Sequence, residues 1–415
     1  MRIRRSKLFE MLFLGVVLLL YHFFYIVPYQ SVFLDGFLFR ILVAFLGTVL
    51  CICLWYAPNF RFVFPKNYIT MRAVSVQISV LLMTFHSILE YPGQSALDTI
   101  GLSARFLWIL WAIPILYIFN EEKGFEHFLQ MLNIISFIWL VIASVQVLVY
   151  LVTGLIFLDF ESGLGYAAFS RGKLLRINMG PLGNFFLLYN TIILIEANKK
   201  LNYQFSILYC VIGWLYMLFV QQTRAYIAAN ILCVAVLLLS HRKVTWRKFI
   251  SIVAGIVAVF AVLFSGAFDR FLESFSASGI DSNSTLGRLG AIQYYWGYIR
   301  RAPIWAMGFP HEAYYYNLIH GPFSRFFLDD VGLIGTWVQT GVFLIPFFIW
   351  PLCRLVFIYR RKRKNMQIFH SQLLLLIISY LIFTIPTLMI TDPQRMIIWP
   401  LFIALGEYLW KEKSL

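Results

Sequence analysis

Long apolar runs recur along nearly the whole chain, and they decide what it can fold into. Of the 415 residues, 61% are hydrophobic and 13% are charged, whereas soluble domains are about 45–50% apolar and about 25% charged. A helix that crosses a bilayer needs about 20 mostly apolar residues. The runs therefore predict an all-α fold, a polytopic membrane helix bundle with about twelve transmembrane helices. The spans are predicted near residues 8–28, 37–57, 69–89, 99–119, 131–153, 180–197, 204–220, 225–240, 249–267, 331–352, 368–389 and 396–410.

One long polar interval, residues 268–330, cannot lie in a bilayer and divides the chain. Residues 1–267 hold roughly the first nine predicted spans, and residues 331–415 hold roughly the last three. We expect 268–330 to form an extracytoplasmic loop that contains short helices. Ser284 is a candidate cap for an amphipathic helix that carries Arg288 near its start.

The positions of the lysines set the expected orientation, because cytoplasmic connectors are enriched in Lys and Arg. With the amino terminus in the cytoplasm, every lysine except Lys173 falls inside. Both termini are then cytoplasmic, and residues 268–330 face outward. The net charge of +15 follows from this arrangement. We therefore expect the lipid bilayer as a partner and no nucleic acid.

The outer face departs from this rule, because it is nearly free of lysine and yet keeps many arginines. Arg presents a planar fork of N–H donors that matches phosphate and carboxylate, and Lys does not. A bound polyanion would explain the choice. Ion pairs with acidic residues on the same face are the alternative, and both explanations stay open. The outer arginines are Arg171, Arg176, Arg224, Arg270, Arg288, Arg300, Arg301, Arg325 and Arg395.

Two short basic motifs beside predicted spans are candidate anion sites. The motif Gln221-Gln222-Thr223-Arg224 separates two spans and places Arg224 at the start of a helix, where free backbone N–H groups also attract anions. Arg171 and Arg176 precede another span and suit a lipid-linked phosphate. The alternatives are an interfacial arginine that marks a helix end, and contact with ordinary anionic headgroups.

Within the long interval, two histidines are the candidates for proton transfer. His311 and His320 are candidate bases, and Asp330 is a weaker one because a carboxylate there also suits a helix cap. The pair Asp329-Asp330 has no neighbouring ligands, and the cysteines lack the spacing of a metal site, so we expect no metal. The tyrosine run 314–316 suits either an interfacial aromatic belt or sugar stacking.

An ordered set of short motifs resembles the bacterial O-antigen polymerase and O-antigen ligase superfamily. The resemblance covers roughly residues 170–345 and includes the plan of many spans with one long outer loop. Members of the family often have Asn or Ser directly after the histidine that precedes the re-entry into the membrane. Here Gly321 follows His320, so that either His320 or His311 can be the equivalent histidine. The motifs are Gln222-Thr223-Arg224, Arg288, Trp296, Pro303, Gly308, Phe309, a histidine, and Asp330-Val331-Gly332-Leu333-Ile334-Gly335.

The resemblance implies metal-independent glycosyl transfer, without a cofactor, at the outer face of a bacterial inner (plasma) membrane. The donor would be an oligosaccharide on undecaprenyl pyrophosphate, and the acceptor would be a sugar hydroxyl. Arg224 and Arg288 would stabilise the leaving pyrophosphate, and His320 or His311 would act as the base. Further contacts to pyrophosphate or glycan would come from Arg176, Arg171, Arg325, Arg395 and Asp330.

Polymerisation of lipid-linked repeat units into surface polysaccharide, such as capsule or exopolysaccharide, is the function that we favour. The reason is that Asp330-Val331-Gly332 resembles polymerase members more closely. A chain-length regulator protein would then be a fitting partner. The alternatives are a ligase that moves lipid-linked glycan to another acceptor, and a flippase or other transporter. Charges deep within the predicted spans are scarce, which counts against transport.

Overall fold

Among the described residues, up to five helices are long and apolar enough to cross a membrane. Four of them are Arg72–Glu90, Ala96–Phe119, Gly124–Thr153 and Tyr203–Gln221, and the fifth is a bent pair, Leu333–Phe343 and Ile345–Lys362, whose two parts meet at 114°. The computed structural model describes residues 5–21, 44–50, 68–158, 170–171, 174–180, 182–196, 202–221, 223–240, 282–322, 324, 326–385 and 393–411.

The expected all-α class is confirmed for the described residues, which are helical apart from connecting segments and one short hairpin of two-residue strands. The prediction of about twelve spans includes residues outside the described ranges, and so the number stays a prediction. The span predicted at 249–267 lies outside the described residues, and of the span predicted at 37–57 only the helical residues 44–50 lie within them.

The elements fall into three groups along the chain. The first group contains α1 (Arg5–Leu20), α2 (Tyr68–Glu90), α3 (Ala96–Ala104), a 3-10 helix (Arg105–Trp111), α4 (Ala112–Phe119), α5 (Gly124–Thr153), β1 (Ser170–Arg171), β2 (Leu174–Leu175), α6 (Gly183–Ile195), α7 (Tyr203–Tyr216), a π-helical turn (Met217–Gln221) and α8 (Arg224–Ser240). The second contains α9 (Ser282–Arg301), α10 (Glu312–His320) and a 3-10 helix (Leu328–Val331). The third contains α11 (Leu333–Thr340), a 3-10 helix (Gly341–Phe343), a π-helical turn (Ile345–Ile349), α12 (Trp350–Lys362), α13 (Ile368–Thr384) and α14 (Pro393–Lys411).

The last helix, α14, lies in the core of the bundle. Every side chain from Arg395 to Glu407 is buried, as expected for a helix that is apolar on nearly all sides. It packs against α4, the 3-10 helix that precedes α4, and α12. The chain therefore builds its core around its own carboxyl-terminal helix.

Helices α8 and α13 run antiparallel. Ser240, the last residue of α8, donates a hydrogen bond to Gln372 near the start of α13, with 3.2 Å between the oxygens. Further along, Cys233 hydrogen-bonds to Ser379. The start of α8, which carries the motif that ends at Arg224, therefore lies towards the end of α13.

An extended segment, residues 174–180, lies inside the bundle ahead of α6. Its side chains alternate: Leu175, Ile177 and Met179 are buried, whereas Arg176 is half-buried and Asn178 is exposed. This period of two is that of a strand. Trp139, midway along α5, donates to the carbonyl of Asn178 over 3.0 Å.

The connection after α11 depends on a glycine with a left-handed backbone. Gly341 has φ +53°, and a Cβ built on it would lie 2.0 Å from the carbonyl oxygen of Ile304. The neighbouring amide of Val342 donates to that same carbonyl over 3.0 Å. The chain after α11 thus approaches the backbone at Ile304 so closely that only glycine fits at position 341.

We expect Gly341→Ala to lower the stability of the protein, since the left-handed backbone alone costs of order 1–3 kcal/mol and the clash adds to it. The measurement is thermal unfolding of the detergent-solubilised protein. Gly297→Ala is the matched control, because Gly297 lies within α9 with open space around its Cβ position. That control should unfold at the same or a higher temperature. Equal midpoints for Gly341→Ala and the wild type would contradict the proposed constraint.

Candidate functional site

The described part of the polar interval, residues 282–322, 324 and 326–330, forms a cap that is held on the bundle by Gln94. The Oε1 atom of Gln94 accepts from the backbone N–H of His311 over 2.6 Å. Its Nε2 atom donates to the carbonyl of Phe309 over 2.9 Å and to the hydroxyl of Thr99 over 2.7 Å. One carboxamide therefore satisfies a donor and an acceptor of the cap backbone at once.

Two further side chains at the end of α2 reinforce this docking. Tyr91 donates through its hydroxyl to the carbonyl of Met307 over 2.5 Å. Ser87 accepts through its hydroxyl from the N–H of Phe309 over 3.0 Å. On α10, Tyr314 hydrogen-bonds to Asp98, and the charge of that carboxylate raises the pKa of the Tyr314 hydroxyl above its usual value. These hydrogen bonds add to the apolar contact that buries Phe309 in the core of the bundle against Phe106.

Within the cap, α9 supports the carboxyl-terminal end of α10. Tyr294 donates to the carbonyl of Leu318 over 2.9 Å, and Tyr295 donates to that of Ile319 over 2.7 Å. The last carbonyls of a helix have no partner within the helix, and these two hydroxyls supply one. Burial raises the pKa of Tyr295 above its usual value, so its hydroxyl keeps the proton that it donates.

His320, the first candidate base, is buried and uses both ring nitrogens. Nδ1 lies 2.8 Å from the carbonyl oxygen of Phe326, and Nε2 lies 2.9 Å from Oε1 of Glu312. Both ring nitrogens are thus engaged by groups of the cap. In this arrangement neither nitrogen is presented to a sugar hydroxyl.

His311, the second candidate base, caps α10. Its Nδ1 accepts from the N–H of Ala313 over 3.2 Å, which satisfies a backbone donor at the start of the helix. The hydrogen of the neutral ring is then on Nε2. His311 therefore has a structural hydrogen bond at the nitrogen that a base would use.

The structure brings together Arg288 and Asp330, two residues expected at the site. The guanidinium of Arg288 on α9 lies 3.8 Å from the carboxylate of Asp330, and the two side chains are 53% and 51% exposed. An exposed pair at this distance is weak, contributing at most about 1 kcal/mol. Both groups are therefore accessible for contacts with a substrate.

Arg176 is fixed at the break between α7 and α8. Its Nε donates to the carbonyl of Gln221 over 2.8 Å, and one terminal nitrogen donates to the hydroxyl of Thr223 over 2.9 Å. Arg224 is the next residue and begins α8. Two motifs far apart in sequence thus meet at one helix start, where backbone N–H groups add a partial positive charge.

The arginine at the α8 start and the cap lie at the same end of the bundle. The N–H of Leu333, just after Asp330, donates to the carbonyl of Ile385 at the end of α13 over 3.0 Å. Because α8 is antiparallel to α13, Arg176 also lies towards that end. Arg325 lies outside the described residues, as do the side chains of Arg171 and Arg224.

Arg395 differs from the expectation of a contact to substrate. The sequence suggested a connector, but α14 begins at Pro393, so Arg395 falls in its first turn and points into the bundle. Its side chain is 1% exposed and donates to the hydroxyl of Thr384. Arg395 therefore joins α14 to α13 and does not reach the surface in this conformation.

Sequence reasoning assigned no site role to Gln94 or Glu312, which the structure places at the cap. A lone glutamine between two spans and a lone glutamate have no motif that marks them. In the part of the chain that the structure describes, no three His, Cys, Asp or Glu side chains group so as to hold a metal ion.

No protein-family model matches the chain, and no curated protein matches it. The chemistry of the site is therefore the basis for a function, since a helical bundle by itself does not specify an activity.

We expect Gln94→Glu to loosen the cap, because the carboxylate would face the carbonyl of Phe309 in place of an N–H donor. Hydrogen exchange at the amides of Phe309 and His311 measures this, and exchange should become faster by about tenfold or more for a loss of about 1–3 kcal/mol. Gln130→Glu, at an exposed glutamine of α5, is the control. Unchanged protection in Gln94→Glu would show that this carboxamide does not hold the cap.

Proposed function

We propose that the chain is a metal-independent glycosyltransferase that polymerises undecaprenyl-pyrophosphate-linked repeat units into surface polysaccharide on the outer face of a bacterial plasma membrane. The observation that carries the proposal is the grouping of arginine at one end of an apolar bundle. Arg176 is fixed at the start of α8, and Arg288 lies on the cap at the same end. A lipid-linked donor needs this combination, because its tail lies in the bilayer and its pyrophosphate lies at the surface.

The reaction breaks the bond between C1 of the donor sugar and a pyrophosphate oxygen, and forms a bond from C1 to the acceptor oxygen. Negative charge grows on the pyrophosphate as the bond breaks. Fixed cationic N–H donors stabilise that charge without having to reorganise. Arg176 is suited to this role because two hydrogen bonds orient its guanidinium, and the α8 start contributes further N–H groups.

Reconstitution tests the proposal. The purified protein is placed in liposomes with a lipid-linked repeat unit and no second protein. Longer glycan on the lipid supports a polymerase. Transfer only after a different acceptor is added supports the ligase alternative. Glycan that crosses the bilayer without any change in length would overturn both enzymatic readings and favour a transporter.

Replacement of Arg176 by Lys should lower the elongation rate by about 10²-fold, because lysine keeps the charge but loses the fork that binds both Gln221 and Thr223. The initial rate of glycan elongation in liposomes is the measurement. Arg360→Ala is the control, since Arg360 is an exposed arginine in the basic run at the end of α12. Elongation by Arg176→Lys at the wild-type rate would refute the pyrophosphate role.

Chelation of divalent metal should leave elongation unchanged, because the arginines are proposed to supply the positive charge that Mg²⁺ supplies elsewhere. The measurement is the elongation rate in liposomes with and without EDTA. A loss of activity that Mg²⁺ restores would mean that Asp329 and Asp330 hold a metal in the working enzyme.

A further inference from the structure

The buried ring of His320 lies at the centre of three exposed side chains. Tyr316 packs on it with 4.4 Å between ring centroids, and Phe327 lies edge-on at 5.0 Å. Glu312 is hydrogen-bonded to its Nε2. Tyr316 and Phe327 are 45% and 48% exposed, and so each keeps part of its ring available for a ligand.

The exposure of the two polar members is very unequal. The side chain of His320 is 7% exposed, and that of Glu312 is 62% exposed. A sugar hydroxyl that approaches from the solvent therefore meets the carboxylate and not the imidazole. The Oε1 atom of Glu312 holds the hydrogen bond from His320, and Oε2 is then the oxygen that suits a second partner.

The geometry around His320 is that of an orienting group. The hydrogen bond between Nδ1 and the carbonyl of Phe326 fixes the ring and aims Nε2 at Glu312. The contact joins the two ends of α10 across non-helical backbone at Tyr315. A third group that orients the base by a hydrogen bond is the usual arrangement in acid–base catalysis.

The side chains around His320 are linked to Arg288 through Phe327 and Asp330. The N–H of Asp330 donates to the carbonyl of Phe327 over 3.2 Å, and Asp330 pairs with Arg288. Phe327 is thus part of both the His320 contact and the turn that holds Asp330. The carboxylate of Glu312 and the guanidinium of Arg288 accordingly belong to one folded unit.

We infer that Glu312 is the base that takes the proton of the acceptor hydroxyl, that Tyr316 and Phe327 flank the acceptor sugar, and that His320 is a positioning residue. The inference rests on the proposed glycosyl transfer. As the acceptor oxygen bonds to C1 of the donor sugar, its proton passes to the Glu312 carboxylate, and the electron pair of the broken bond leaves with the pyrophosphate. The carboxylate later returns the proton to water. Aromatic faces beside a carboxylate suit a sugar, which has apolar C–H faces and hydroxyl edges.

The test compares two acceptors in liposomes that contain the full-length protein and its lipid-linked repeat unit. With the natural acceptor, Glu312→Gln should slow elongation by about 10²–10⁴-fold, the usual contribution of a general base. Azide is the second acceptor, and it needs no deprotonation. The same variant should form glycosyl azide within about tenfold of the wild-type azide rate, because only the proton transfer is lost.

His320→Gln separates positioning from folding. It should lower the kcat of elongation while the KM for the lipid-linked donor stays unchanged, and azide should restore its rate as well. Glu122→Gln, at an exposed glutamate before α5, should elongate like the wild type. Thermal unfolding of each variant establishes that it is folded.

The outcomes distinguish this inference from the proposed function. A wild type that does not elongate glycan sinks the proposed function. A wild type that elongates, together with a Glu312→Gln variant that elongates within about threefold of it, overturns only the role of Glu312. A slow variant that azide does not restore also overturns that role and makes Glu312 a structural residue.

Discussion

Backbone polar groups inside an apolar bundle must find their partners within the protein, and this constraint shapes the whole structure. Lipid offers no hydrogen bonds, so irregular backbone at membrane depth is tolerated only where side chains complete it. The extended segment 174–180, which lies inside the bundle, has two of its carbonyls bonded by side chains. Trp139 donates to the carbonyl of Asn178, and Tyr216 donates to that of Ile177 over 3.0 Å.

The same requirement positions the proposed anion site. At the end of the π-helical turn before α8, the carbonyl of Gln221 accepts from Arg176 over 2.8 Å and from the hydroxyl of Thr223 over 3.3 Å. The amide of Gln221 in turn donates to Asn178 over 3.1 Å. The arginine is thus fixed because a broken helix needs a donor, and fixation is what electrostatic catalysis requires of it. The hydrogen bonds of Arg176 thus complete the broken helix and also orient the guanidinium for its proposed role in catalysis.

Features that depend on a local sequence pattern could be predicted from the sequence. Apolar runs predicted the helical class, and the helix with Arg288 was expected, although it begins at Ser282 and not after Ser284. Polar and apolar residues alternate around Ile177, and this pattern was sufficient to predict the extended segment from the sequence. The burial of Arg395 has a local cause, since α14 begins a few residues before the span predicted from residue 396, and this turns the side chain into the core.

What the sequence could not supply depends on contacts between distant residues. Nothing in the pattern of Gln94 indicates that it holds the backbone around His311, more than 200 positions away. The exposure of Glu312 and the burial of His320 are likewise properties of the folded cap. Sequence motifs favoured the histidine because imidazole is the commonest base, whereas the fold decides which group a substrate can reach.

The placement of buried charge also bears on the choice between an enzyme and a transporter. Glu407 is buried near the end of α14 and receives two hydrogen bonds from Arg354, at 2.9 and 3.2 Å. Arg72 lies near the start of α2, and Arg395 lies in the first turn of α14; both are buried. Among the described residues, Arg354 lies in the middle of Ile345–Lys362 and Arg105 in the middle of Ala96–Phe119, and each hydrogen-bonds to a side chain of a neighbouring helix. Charges paired in this way join helices to one another, whereas an ion-driven transporter needs midplane groups that bind and release an ion.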